Sequence, residues 1–135
     1  MELKEISLTL NGNINYKIFK YYSTESSYNS LIIKFIGSHG YGSGGNLNSL
    51  FMKTIISASV GIELFNQFIL DLGDFQYEFG DSLFDVLNFP FKKGNPDYEY
   101  KIIISDSCEK GIISLIEFEG YQNRFNFKYN LEEVL

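Results

Sequence analysis

Residues 68–87 (FILDLGDFQYEFGDSLFDVL) constrain the fold more than any other stretch of the chain. The apolar run 68–72 is typical of a strand that is buried on both faces. An acidic, aromatic turn follows, and then Asp81 and Ser82, two residue types that commonly cap helices. A short apolar segment up to Pro90 predicts the helix itself. A strand, a polar turn and a helix make one βα unit, whose turn is the usual place for a ligand or partner.

Two further apolar runs, residues 31–36 and 101–104, predict two more central strands. The helix pattern after the first run has apolar residues at spacings of three and four, with Asn46 as the expected N-cap residue. Its expected buried stripe consists of Leu47, Leu50, Phe51, Ile55, Ala58, Ile62 and Phe65. After the second run, Asp106 and Glu109 resemble a capping box. The stripe of that helix is Cys108, Ile112, Leu115 and Ile116, and Gly120 ends it.

The N-terminal segment predicts a β-hairpin, because two alternating stretches flank the turn-forming pair Asn11-Gly12. The alternating apolar residues are Ile6, Leu8 and Leu10 before the turn, and Ile14, Tyr16 and Ile18 after it. Near the C-terminus, residues 125–129 predict a short edge strand, and residues 131–135 the start of a fourth helix. The sequence therefore predicts one α/β domain over residues 1–135, with a mixed, mainly parallel sheet, an N-terminal hairpin and three to four helices.

Charge and cysteine content narrow the function classes. The net charge of −6 argues against binding to nucleic acid or to an anionic membrane, and is compatible with a basic protein partner. The single cysteine, Cys108, forms no internal disulfide, and its place on an apolar stripe predicts a small core residue. No secretory signal and no membrane-spanning run is visible, so we expect a cytoplasmic protein.

The loop before the first helix is rich in glycine and matches the spacing Gly-x-Gly-x-x-Gly over residues 40–45. Such glycines let a backbone approach a pyrophosphate, but no lysine follows them and no acidic residue stands about 20 positions later. A helix-capping loop is the favoured interpretation, and no cofactor is expected. The residues that would contact a small ligand are His39, Tyr41, Gly42, Ser43, Gly44 and Gly45.

Residues 80–83 spell Gly-Asp-Ser-Leu, the block that opens the GDSL serine esterases. A nucleophilic serine needs a histidine base, and in that family the base lies near the C-terminus. The single histidine here, His39, lies upstream of Ser82. The two side chains would pair only if their loops meet at the edge of the sheet. A helix-capping role explains Asp81 and Ser82 without catalysis.

The turn after the second central strand concentrates carboxylates and aromatic rings. Its candidate partner-binding residues are Asp74, Tyr77, Glu78, Phe79, Asp81 and Asp85. Clustered carboxylates bind Mg²⁺ or Ca²⁺ in some proteins, but the spacing of an EF-hand is absent, so no metal is expected. Rings beside carboxylates suit a basic protein partner, because rings supply contact area and charges steer the approach.

The chain resembles the STAS family, which includes anti-sigma-factor antagonists and the cytosolic domains of sulfate transporters. The resemblance lies in residues 31–37 (LIIKFIG), in residues 68–82 with their Asp-Leu and Asp-Ser pairs, and in residues 127–135 (FKYNLEEVL). It implies a bacterial regulatory domain in which Ser82 is the phosphorylated switch serine. Phe84 stands where the family has a glycine, and the turn before Asp81 is about two residues longer.

The sequence thus favours a non-enzymatic regulatory or inhibitory domain, of antagonist or immunity type, that binds a protein through its acidic, aromatic turn. Two alternatives stay open. One is a regulator switched by phosphorylation of Ser82. The other is a small hydrolase or nucleotide binder that uses His39, Ser82 and the glycine-rich loop. The partner and the oligomeric state are not fixed by the sequence.

Overall fold

The computed structural model describes residues 1–5, 12–23, 29–62, 64–92, 94, 96–120 and 124–135, without the side chains of Ser43 and Ile62. The first strand of the predicted N-terminal hairpin, with Ile6, Leu8, Leu10 and Asn11, lies outside these residues and stays a prediction. Within them, Ile14 to Tyr22 form a strand that is paired with the first of the predicted central strands.

Within the described residues, six strands form one sheet. They are β1 (Ile14–Tyr22), β2 (Asn29–Ser38), β3 (Gln67–Asp71), β4 (Phe75–Gln76), β5 (Glu99–Ile103) and β6 (Phe127–Lys128). The order is β1-β2-β3-β5-β6, and β4 pairs with β2 beyond the end of β3. β1 runs antiparallel to β2, whereas all other pairs are parallel. The predicted α/β class with a mixed, mainly parallel sheet is confirmed.

In the part of the chain that the structure describes, three α-helices connect these strands: α1 (Asn46–Ile62), α2 (Leu83–Leu87) and α3 (Glu109–Glu119). Asn46 is the first residue of α1 rather than its N-cap, because Gly42–Gly45 already coil into a 3₁₀ turn. The N-cap position of α3 is Cys108 rather than Asp106. Gly120 ends α3 as predicted, with φ 80° and its N–H on the carbonyl of Ile116.

Shorter helical turns complete the chain. The segment after α2 includes the 3₁₀ turn Phe89–Phe91, which contains Pro90. The predicted fourth helix is a single 3₁₀ turn, Leu131–Glu133, in which the side chain of Asn130 accepts the N–H of Glu133. Asn130 therefore caps a helical turn of three residues, and this turn does not continue into the predicted helix.

The core lies between the helices and one face of the sheet, where Leu31, Ile33, Phe35, Phe68 and Leu70 are fully buried. The opposite face carries a smaller cluster of Ile32, Ile69 and Ile103, against which the C-terminal turn packs through Val134. The long continuous apolar runs follow from this arrangement, since parallel strands covered on both faces have little room for polar side chains.

The buried face of α1 differs from the predicted stripe. Leu47 and Leu50 are exposed, whereas Ser49, Met52, Ile56 and other residues at the same helical spacing are buried. The stripe of α3 was predicted correctly. Cys108 is a buried core residue as predicted, and burial raises the pKa of its thiol. In the part of the chain that the structure describes, no helix has the length and apolarity that crossing a membrane requires.

Candidate functional site

Three loops meet at the carboxyl ends of the parallel strands. The loop after β2 joins the segment after β4 through two contacts: the N–H of His39 donates to the carbonyl of Gln76 at 2.9 Å, and Ser38 Oγ donates to Gln76 Oε1 at 3.0 Å. The start of the α3 region joins them, because the N–H of Tyr77 donates to the carbonyl of Ser107 at 3.2 Å. Sites in open α/β sheets usually form at this edge.

His39 is buried at the centre of this junction, with 4% of its surface exposed. Its ring packs edge-on against Tyr77 at a centroid distance of 5.4 Å and against Phe75 at 6.3 Å. Gly45 and Gly80 form the rest of its wall, and a Cβ atom on Gly45 would overlap the imidazole. One glycine of the candidate ligand loop, Gly45, and one of the acidic turn, Gly80, therefore help to enclose His39. Ligand binding by that loop stays a prediction.

The hydrogen bonds of His39 fix its tautomer. Nδ1 lies 2.8 Å from the carbonyl oxygen of Gly40, and a carbonyl only accepts, so Nδ1 carries a proton and donates it. Burial lowers the pKa of His39 below 6.5, an effect that the Gly40 bond opposes only in part, and the ring is therefore neutral near pH 7. Nε2 then accepts a hydrogen bond from Ser49 Oγ at 2.8 Å.

This chain of bonds continues to Ser82. Ser49 gives its own proton to His39, so at the 2.9 Å contact between the two hydroxyl oxygens Ser82 donates and Ser49 accepts. The two residues that sequence analysis considered together, His39 and Ser82, are thus linked through a third. The sequence analysis did not identify Ser49 as a site residue. The available signal was its position three and seven residues before Met52 and Ile56, which places a polar side chain on the buried face of the helix.

Ser82 occupies the N-cap position of α2, as predicted, but its side chain makes no capping hydrogen bond. The hydroxyl bonds to Ser49 instead. The prediction that the side chain of Ser82 caps the helix is therefore wrong. A capping serine accepts a hydrogen bond from a backbone N–H of the first helical turn, and this hydroxyl bonds to Ser49.

The acidic turn has an inner and an outer side. Tyr77 lies inside, 4% exposed, and its hydroxyl donates to the carbonyl of Gly80 at 2.9 Å. Burial, with a smaller contribution from Asp81, raises the pKa of Tyr77 to about 12. Phe79 lies outside and stacks on Tyr41 of the glycine-rich loop, with centroids 4.6 Å apart and planes within 9°. Both outer rings are more than half exposed, at 56% and 57%.

The carboxylates of the turn also divide into two kinds. Asp74 pairs with Lys34 at 2.6 Å, and Asp85 lies 3.9 Å from Lys53, so a lysine offsets each of these charges. Glu78 and Asp81 are exposed and form no ion pair within the described ranges. Among the described residues, two exposed carboxylates without an ion pair therefore flank Phe79 in the sequence.

Small cavities open at this edge, and two of them border His39 or Ser82. One, of about 220 Å³, borders His39, Gln76, Glu78 and Ser107. The other, of about 460 Å³, lies in front of Ser82 and is lined by Gly42, Asn46, Phe79, Gly80 and Asp81. Among the residues that the structure describes, no three His, Cys, Asp or Glu side chains are grouped closely enough to hold a metal ion.

Comparisons with known proteins connect the chain to one fold. No protein-family model matches it. No curated protein matches it significantly. Among solved structures, it is similar to the crystal structure of an anti-sigma factor antagonist from Mycobacterium paratuberculosis, with 12% sequence identity and a TM-score of 0.59. The match covers 88% of this chain and 90% of that one. The chain therefore has the STAS-like fold that the sequence resemblance indicated.

Proposed function

We propose that the protein is a regulatory or inhibitory domain that binds a basic protein partner through an acidic, aromatic rim. The rim consists of Tyr41, Glu78, Phe79 and Asp81. The observation that carries the proposal is the exposed Tyr41–Phe79 stack, with the exposed carboxylates of Glu78 and Asp81 close to Phe79 in the sequence. Asp74 and Asp85 contribute less to this proposed surface, since each already has a lysine neighbour.

The chemistry of the rim suits lysine and arginine side chains. Aromatic faces attract cations, and arginine also stacks on them. The carboxylates raise the rate of encounter with a positively charged partner, and the net charge of −6 acts in the same direction. Rings that are rigid and already exposed lose little conformational freedom on binding, which is why aromatic residues dominate the energetics of many interfaces.

The fold supports a regulatory class. A solved structure that shares it is that of an anti-sigma factor antagonist, a name that refers to action on a protein. The sequence favours a partner-binding turn on this fold. Of the two aromatic candidates in that turn, Tyr77 is buried against His39, whereas the ring of Phe79 is exposed beside Tyr41 and supports the proposed contact.

The test compares three tagged proteins in capture from the source lysate, with bound proteins quantified by mass spectrometry. The rim variant combines Glu78→Gln and Phe79→Ala. The control combines Leu64→Ala and Glu117→Gln, which also removes one exposed apolar side chain and one exposed carboxylate, but outside the rim. We expect one basic protein, near equimolar, with the parent and the control, and a loss of at least tenfold with the rim variant. Equal capture by the rim variant would refute the proposal.

A second candidate is a switch through phosphorylation of Ser82. Ser82 is partly exposed and borders the same cavity as Phe79 and Asp81. A phosphate there would add a charge of about −1.5 to −2 next to an existing carboxylate and change the affinity of the rim for its partner. Incubation with source lysate and ATP would then add the mass of one phosphate to the parent chain and none to Ser82→Ala.

A further inference from the structure

Behind the rim, the hydroxyl groups of Ser82 and Ser49 form a chain of hydrogen bonds that ends at the imidazole of His39. Ser49 is 1% exposed and His39 4%, so the two inner members of the chain are shielded from water. Ser82, the outer member, is partly exposed at the edge of a cavity. Every proton in this chain points inward, from Ser82 to Ser49 and from Ser49 to Nε2 of His39.

We propose that Ser82 is a nucleophilic serine, activated by His39 through Ser49, that accepts an acyl group from a small activated ester. Because the hydroxyl of Ser82 donates its proton to Ser49, the two lone pairs of its oxygen remain available to attack an electrophile. The acceptor at the end of the chain is a neutral imidazole, held in orientation by its Nδ1–H bond to the Gly40 carbonyl. A nucleophile, a base and a group that orients the base are the parts that such chemistry needs.

The cavity in front of Ser82 restricts the substrate class. Its volume of about 460 Å³ admits a small acyl group. Phe79 supplies an apolar wall, Asn46 contributes a side-chain amide, and Asp81 disfavours a substrate that carries a carboxylate. The expected substrate is therefore a small, uncharged ester with a good leaving group.

Acylation of Ser82 by such an ester forms one bond and breaks one bond. The Oγ of Ser82 forms a bond to the acyl carbon, and the bond from that carbon to the leaving oxygen breaks, so the leaving group departs as an anion. The proton of Ser82 moves to Ser49, and the proton of Ser49 moves to Nε2 of His39, which becomes an imidazolium. When water hydrolyses the acyl-serine, its oxygen bonds to the acyl carbon and the bond from that carbon to Ser82 Oγ breaks. The imidazolium returns its proton through Ser49 to Ser82 Oγ. Of the two protons of the water, one stays on the acid product and one leaves to solvent at the open side of the cavity.

Two probes test this on the purified full chain: a fluorophosphonate, which loses fluoride on reaction, and 4-nitrophenyl acetate, which releases 4-nitrophenolate. Intact mass and peptide mapping locate the modified residue. We expect labelling of Ser82 in the parent chain and in the control Ser114→Ala, which changes an exposed serine of α3. Labelling is expected to vanish in Ser82→Ala and to slow about 10²-fold in Ser49→Ala and in His39→Gln, the loss typical of a missing general base.

A further variant separates the role of the Ser49 hydroxyl from a role in packing. Ser49→Thr keeps the hydroxyl and is expected to retain most of the labelling rate, whereas Ser49→Ala loses it; circular dichroism confirms that each variant is folded. No labelling of the parent, labelling at another residue, or an unchanged rate in Ser49→Ala would each overturn the proposal. The labelling assay contains no partner protein, so its failure leaves the binding proposal standing, and the reverse also holds.

Discussion

Tyr77 and Phe79 are two aromatic residues of one acidic turn, yet they belong to different regions of the molecule. Tyr77 is part of an inner wall, together with His39, Gly45 and Gly80, in which polar atoms are paired and rings are packed. Phe79 is part of the outer rim and touches Tyr41 in solvent. The inner wall holds the loops in place, and the rim is what those loops present.

The difference shows that composition alone does not identify a contact surface. Glu78 and Phe79 are available because their neighbours on each side, Tyr77 and Gly80, are held inside by the hydrogen bond between them. A double substitution of Tyr77 and Glu78 would therefore mix two effects, a loss of folding free energy and a loss of contact. Single substitutions separate the contribution of the inner wall to stability from that of the rim.

The largest expected effect comes from the two aromatic residues themselves. Tyr77→Ala removes a buried ring and leaves the carbonyl of Gly80 without its donor, so the free energy of unfolding is expected to fall by about 3–5 kcal/mol. Phe79→Ala removes an exposed ring, and the expected fall is about 0.5 kcal/mol. Urea unfolding of both variants measures this. Equal losses would show that the turn has no inner and outer side.

A smaller effect is expected from the glycines of the loop. Gly45→Ala would force a methyl group against the imidazole of His39, and overpacking of this kind costs about 1–3 kcal/mol. Gly44→Ala is the matched control, because a Cβ atom there meets nothing within 4 Å. Its expected change is within about 0.5 kcal/mol of zero. A neutral Gly45→Ala in thermal unfolding would contradict the close packing of this wall.

The parts of the fold that depend on local patterns could be predicted. The runs 31–36 and 68–72 predicted β2 and β3, because strands buried on both faces have continuous apolar sequence. The face of α1 could not be chosen in the same way. Two stripes with three- and four-residue spacing coexist in that helix, and the buried one contains Ser49 and Ser59, whose polarity concealed it.

The site depended on contacts between residues far apart in sequence. Ser49 and Ser82 are separated by 33 positions, and nothing local in either segment specifies their bond. The inward direction of Tyr77 did have a signal in the local sequence, which is the alternation of aromatic and polar residues over positions 75–78. In the structure Phe75 and Tyr77 are buried, whereas Gln76 and Glu78 are exposed, as in a strand with one buried face.

The smallest of these effects is expected from pH and comes from His39, whose imidazole has a pKa of about 6.5 in an unfolded chain. Its ring faces the Gly40 carbonyl, Ser49, Phe75 and Tyr77, none of which carries a charge there. Since burial lowers the pKa of His39 below 6.5, the unfolded chain binds more protons than the folded chain just below that pH.

The stability that His39 contributes is therefore complete above pH 6.5, decreases as the pH falls below that value, and levels off once the pH is below the pKa of the folded state. Urea unfolding of the parent chain and of His39→Gln between pH 5 and 8 isolates this contribution, because the other titrating groups are common to both proteins. The difference between the two curves is expected to shrink toward acid. A difference that is independent of pH would mean that the imidazole is as open to protonation in the folded protein as in the unfolded chain, and the inner wall would then not be closed to water.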